Sequence, residues 1–156
     1  MVTSRRGSWS ISWQLANKKK TGLLCMPLRT PTILVLDDER LIRINLAAFL
    51  TDEGYHTLEA ESGEAALALL AKHQVDLVLV DLRLPGLDGA QFMLTAHQLR
   101  PGLRFLIHTG SMEFRLPAEL AAIGLGKDDV FCKPLPDMAV LSRAISHRLR
   151  VSQRLL

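Results

Sequence analysis

Cysteine is scarce: only Cys25 and Cys132 occur in 156 residues. They form no Cys-x-x-Cys pair and lie near no cluster of other ligands. That excludes a zinc site and a disulfide framework, and both read as ordinary thiols. Long apolar runs are missing too. None reaches the ~18 residues that a spanning helix needs, so no membrane partner is expected. Arg5 and Arg6 are not followed by an apolar stretch suited to a signal peptide, and a cytoplasmic protein is the expectation.

Acidic residues are absent from residues 1–30, which carry Arg5, Arg6, Lys18, Lys19, Lys20 and Arg29. The other residues hold 13 basic and 16 acidic groups, so the net +3 belongs to an extension and the remainder is mildly acidic. Residues 1–30 read as a disordered basic extension, or as a stretch preceding a true start at Met26. Trp9 and Trp13, four apart, would share a face of any helix there. Arg143, Arg148, Arg150 and Arg154 close the chain, and on one helix they read as a solvated face, so no nucleic-acid partner is expected. The domain is placed at 31–150, with a short tail at 151–156. Hydrophobic residues at 48% and charged ones at 22% suit one globular core.

From Pro31 onward the pattern becomes regular. Residues 32–36, 56–60, 77–80, 104–108 and 130–132 read as strands, the first and third of them short apolar runs. Between them, helical spacing recurs: Leu41, Ile42, Asn45, Leu46, Phe49 and Leu50 up to Gly54; Ala66, Leu69 and Leu70 after Ser62 as N-cap; a helix from about Gly89 to Leu99; and Met138, Leu141, Ile145 and Leu149. Only Ala118–Ile123 looks helical before the last strand. Five alternations predict a parallel α/β sheet covered on both faces, with ligands beyond the carboxyl ends of the strands. Four of the five strands end on distinctive polar residues: Asp37-Asp38, Asp81, Thr109 and Lys133.

Carboxylates converging at one rim repel each other unless a cation joins them. Oxygen-only ligands suit Mg²⁺, with Asp38, Asp81 and the backbone carbonyl of Arg83 coordinating directly and Asp37 acting through water. A carboxylate such as Asp81 can also be a nucleophile toward phosphorus. Lys133 would then supply charge, and Thr109 a hydroxyl donor, to the transferred group. Each residue also has an ordinary reading. The Asp pair can favour a helix N-terminus, Thr109 can cap a turn, Lys133 can be a solvated lysine, and His108 can be a partly buried structural histidine.

Ile33-Leu-Val-Leu-Asp-Asp-Glu39, Val80-Asp-Leu-Arg-Leu-Pro-Gly-Leu-Asp-Gly89, His108-Thr-Gly110 and Lys133-Pro134, in this order, resemble the receiver domains of response regulators. The resemblance implies a flavodoxin-like sheet of strand order 2-1-3-4-5 and a cis Lys133-Pro134 bond. It also implies Mg²⁺-dependent transfer of a phosphoryl group to Asp81 from a sensor histidine kinase or a histidine phosphotransfer protein. Such a domain is a signalling module, not an enzyme beyond its own phosphorylation and dephosphorylation. With nothing following residue 156 to act as an output domain, a stand-alone receiver working through a downstream protein partner is expected, and a homodimer is left open. Two departures stand out. The family often has an aromatic residue three before the lysine, where this chain has Val130, with Phe131 on the opposite face of the strand. The segment 111–117 also delays the fourth helix. Alternatives are a phosphorelay intermediate, a constitutive adaptor, a flavin-binding module and a Mg²⁺-dependent phosphohydrolase. The flavin reading lacks a phosphate loop after the first strand, and the hydrolase reading lacks a second acid at Arg83.

Overall fold

The computed structural model describes residues 29–151. The expected extension before Arg29 (Trp9, Trp13, Cys25 and Met26 included) and the tail after Val151 lie outside the described residues. Five strands, β1 (Thr32–Leu36), β2 (His56–Ala60), β3 (Leu77–Val80), β4 (Arg104–Thr109) and β5 (Val130–Cys132), alternate with five helices. These are α1 (Arg40–Asp52), α2 (Gly63–Lys72), α3 (Gly89–Leu99), α4 (Ala118–Ala122) and α5 (Met138–Val151), with a 3₁₀ turn at Lys127–Asp129. All strand pairs are parallel, as the alternating pattern predicts, and the order is β2-β1-β3-β4-β5, as the resemblance implies.

β1 and β3 are apolar nearly throughout because both faces are covered, whereas the edge strand β2 leaves His56 and Glu59 exposed. Alternate residues feed two cores. Ile33, Val35, Leu77, Leu79, Leu106 and Phe131 meet Leu46, Ala47, Leu50, Leu141 and Ile145 of α1 and α5. Leu34, Leu36, Val78, Val80, Phe105 and Ile107 meet Ala66, Leu70, Phe92, Met93, Ala96 and Leu120 of α2, α3 and α4. Phe92 and Phe105 pack edge to face, centroids 6.4 Å apart. Val130 is partly buried on this second face, so β5 splits Val130 and Phe131 between the two cores.

Local signals place the helices. Ser62 Oγ accepts the Ala65 amide and Asp88 Oδ1 accepts the Gln91 amide, satisfying donors that a helix start leaves open. Gly54 ends α1 with φ 95°, a conformation that favours glycine. Two expectations need correction. Leu41 has helical spacing but is 76% exposed, because it falls with Ile44, Asn45 and Ala48 on the outward face of α1, opposite Leu46, Ala47 and Leu50. Arg148 is not part of a solvated face: it pairs with Asp129, which is only 4% exposed, and with the Gly124 carbonyl.

Candidate functional site: an acidic rim around one lysine

The site is built by strand ends. β1 and β3 are in register at Leu36 and Val80, so Asp37 and Asp81, the next residues, come out side by side. Both are nearly sealed from water, at 2% and 4% exposure, while Asp38 is exposed. One carboxylate oxygen from each of Asp37, Asp38 and Asp81 lies within 4.8 Å of the others. At the end of β5, Lys133 Nζ donates to Asp37 Oδ2 at 2.8 Å and to Asp81 Oδ2 at 3.1 Å, with Glu39 Oε1 at 3.5 Å. The Lys133–Pro134 peptide bond is cis.

Asp81 is held by its own loop as well: the Arg83 amide donates to Asp81 Oδ1 at 3.2 Å. That loop is pressed against the strand by Gly89, where an added Cβ would sit 2.4 Å from the Asp81 carbonyl oxygen and 2.7 Å from Leu82 Cα. A side chain there would push Asp81 out of place. Glu64 steadies the loop from α2, its Oε1 accepting the Leu87 amide at 3.1 Å. Thr109, fully buried, ends β4 at the same rim. The Lys133 amide donates to its carbonyl at 2.8 Å, and its hydroxyl oxygen accepts the Ser111 amide at 3.2 Å. The hydroxyl proton is not used in that bond and remains available to an acceptor.

The electrostatics follow from the crowding. Burial raises the Asp81 pKa, and the neighbouring Asp37 adds to the rise; hydrogen bonds from Lys133 and Arg83 oppose it without cancelling it. Burial alone would lower the Lys133 pKa, but its bonds to Asp37 and Asp81 override that and raise it, so the ammonium stays charged. His108, 6% exposed, pairs with Phe131 across the β4–β5 ladder, and the charges that reach it are those of Lys133 and Asp37. Neither of its ring nitrogens has a hydrogen-bond partner among the described residues. Burial first, then Lys133, lowers its pKa to about 4, so the ring is neutral at pH 7.

Asp37, Asp38 and Asp81, with Glu39 at the edge, set four carboxylates against one ammonium, leaving the rim with excess negative charge and only oxygen ligands. This set fits a hard divalent cation. The structure thus brings Asp37, Asp38, Asp81 and Lys133 together, with Arg83 bonded to Asp81 and Thr109 to Lys133. Sequence reasoning missed Arg43, which reads as an ordinary polar helix residue. Its Nη1 donates to the Asp37 carbonyl at 2.7 Å and its Nε lies 3.4 Å from Glu59 Oε2. A lone basic residue on the face that also carries Leu46 and Leu50 was the available signal. It missed the Glu64 clamp as well, for which the sequence offers no sign beyond an acid in the first turn of α2.

Comparison with known proteins bears on this geometry. The family model described as response regulator receiver domain matches residues 33–146. Sporulation initiation phosphotransferase F of Bacillus subtilis is 35% identical over 92 residues, 59% of this chain and 74% of that protein. Response regulator GtcR of Aneurinibacillus migulanus is 34% identical over 112 residues, 72% of this chain but 45% of its own length. Transcriptional regulatory protein AruR of Pseudomonas aeruginosa is 37% identical over 131 residues, 79% of this chain and 52% of its own length. The chain thus spans about half the length of the latter two regulators. Among solved structures, a CheY-like receiver domain protein from Methanospirillum hungatei aligns with a TM-score of 0.71 and 27% identity, covering 82% of this chain and all of that one. TrrA of Thermotoga maritima, solved in complex with Mg²⁺-BeF, aligns with a TM-score of 0.67 and 25% identity over 76% of this chain and 99% of that one. Strand order, an acidic rim around a single lysine, and a family match across most of the described residues agree: the chain belongs to the response regulator receiver domains, the phosphorylated signalling modules of two-component systems.

Proposed function

We propose that Asp81 is the phosphoacceptor of this chain, taking a phosphoryl group from a sensor histidine kinase or a histidine phosphotransfer protein. An Asp81 carboxylate oxygen forms the new O–P bond as the donor's P–N bond breaks. The electron pair of that bond stays on the imidazole nitrogen, which takes up a proton. Asp38, Asp81 and the Arg83 carbonyl would hold Mg²⁺, with Asp37 reaching it through water. When bound, Mg²⁺ supplies positive charge to a phosphoryl oxygen. Lys133 adds a fixed ammonium for another oxygen, and Thr109 donates its hydroxyl proton to a third. The observation that carries this reading is the Lys133 ammonium bonded at once to Asp37 and Asp81 beside an exposed Asp38.

Signalling would then pass through protein contacts. A cleft of about 720 Å³, lined mostly by apolar groups that include Met112, Val130, Phe131, Leu135 and Val140, lies against β5 and α5. Val130 faces the core in place of the aromatic that many relatives carry there, so movement of Thr109 would be transmitted through smaller side chains. Work inside the cell, in the cytoplasm where phosphohistidine donors are found, belongs to the same proposal. Among the described residues no helix is long and apolar enough to cross a membrane.

The test is incubation with acetyl phosphate and Mg²⁺ followed by intact mass measurement. One added phosphoryl group on the wild type, and none on Asp81→Asn, is expected. An unmodified wild type, or an Asp81→Asn variant still modified, would overturn the assignment.

A further inference from the structure

The turn after β1 must do something electrostatically unfavourable. It presents two successive carboxylates, Asp37 and Asp38, toward a third, Asp81, with all three within 4.8 Å. Repulsion favours any rotation of the turn that swings Asp38 away, and Asp38 is exposed and free to take it. What opposes that rotation is the anchoring of Asp37. Its amide donates to the Ala60 carbonyl at 3.1 Å, its Oδ1 accepts the Glu39 amide at 2.8 Å, and its Oδ2 accepts Lys133 Nζ at 2.8 Å. Its carbonyl, the atom that begins the peptide plane leading to Asp38, is held by Arg43 Nη1 at 2.7 Å.

Arg43 is well placed to hold that plane. Its side chain is only 11% exposed. Its backbone amide closes the first turn of α1 on the Glu39 carbonyl at 3.0 Å. Its guanidinium is steered from the far side by Glu59 on β2, which stands in register with Val35 of β1. A planar, permanently charged fork suits two simultaneous partners in fixed directions better than an ammonium does. A cation within one residue of a cation pocket is also a liability, because like charge weakens binding of a divalent ion. Tolerating it there is explained if its geometric contribution exceeds its repulsion.

We propose that Arg43 is a positioning residue for the cation pocket, holding the Asp37–Asp38 peptide so that Asp38 faces Asp81. Arg43 thereby strengthens divalent-cation binding although its own charge opposes it. This rests on the reading of the rim as a Mg²⁺ site. The two effects have opposite signs, so removal of Arg43 decides between them.

The experiment is calorimetric titration of Mg²⁺ into the whole chain and into Arg43→Ala, Arg43→Lys and Glu59→Gln, with melting curves to establish folding. Arg43→Ala is expected to weaken Mg²⁺ binding roughly tenfold, the equivalent of one charge-assisted hydrogen bond. Arg43→Lys, which can still reach the carbonyl, should recover most of that loss and serves as the reporter if the alanine variant does not fold. Glu59→Gln should change affinity less than about twofold, since that ion pair is half exposed. If Arg43 merely ties α1 to β2, Arg43→Ala and Glu59→Gln will behave alike. Unchanged or tighter Mg²⁺ binding in Arg43→Ala overturns the proposal. Absence of Mg²⁺ binding by the wild type would instead remove the reading beneath it.

Discussion

Asp81 and Asp129 are equally hidden, each 4% exposed, and each meets a basic side chain, yet they sit in opposite electrostatic situations. Asp129 has its own cation: Arg148 donates through both Nε and Nη2, and the Gly126 amide adds a bond at 2.7 Å. One charge faces one charge, and both carboxylate oxygens accept hydrogen bonds. Asp81 shares a single ammonium with Asp37, and Asp38 lies beside them with no ion-pair partner among the described residues. The balanced pair fixes the loop before β5 to α5, whereas the unbalanced one carries negative charge that no second cation among the described residues offsets. Buried carboxylates thus read as scaffold or as site by their ratio to nearby cations, not by burial.

Acid should separate the two regions most strongly. The His108 pKa is lowered to about 4 by burial first and then by Lys133. The unfolded chain therefore binds more protons between pH 6.5 and 4, so stability is fully present above 6.5 and falls as pH drops toward 4. The loss is on the order of 3 kcal/mol in denaturant titrations, and His108→Leu should remove most of it. A pH profile for His108→Leu that matches the wild type would contradict this account of the rim.

Breaking the balanced pair comes next. Arg148→Met leaves Asp129 buried without a cation and should destabilise the fold by about 2 kcal/mol, less than a fully buried pair because Arg148 is partly exposed. Mg²⁺ affinity should not change. An altered affinity would show that the two regions are coupled. The smallest effect expected is that of Glu64→Ala, which releases the Leu87 amide at an exposed position. A loss of about 0.5–1 kcal/mol is expected in thermal melts, with faster amide exchange across residues 82–88 distinguishing a loosened loop from a general loss of stability.

Most of the architecture was legible in the sequence because strands covered on both faces have to be apolar, and each such run stops at a polar residue. Asp37, Asp81, Thr109 and Lys133 marked the rim for that reason, and the parallel arrangement brought them to one edge. Leu41 misled because an apolar side chain can also stand on the outward stripe of a helix, where it aligns with Ile44, Asn45 and Ala48 and not with Leu46 and Leu50. Arg43, Glu64 and the Asp129–Arg148 pair were not legible. Their partners are a backbone carbonyl, a backbone amide and a side chain on another element, and none of these leaves a spacing signature. The Asp88-Gly89 motif could be read, but its reason could not: only coordinates show the Asp81 carbonyl occupying the space of a Cβ.

The rim holds more negative charge than the described fold neutralises by itself. The Asp81 pKa is raised, so the metal-free protein is less stable once pH exceeds the ordinary carboxylate range, and neutralising this residue should help. The direct measurement is thermal unfolding at pH 7 of the wild type and Asp81→Asn, each with and without Mg²⁺. Without Mg²⁺ the variant should be the more stable by about 1 kcal/mol, and Mg²⁺ should stabilise the wild type far more than the variant. A wild type that melts at the same temperature with and without saturating Mg²⁺, or an Asp81→Asn variant that is less stable in its absence, would contradict the claim.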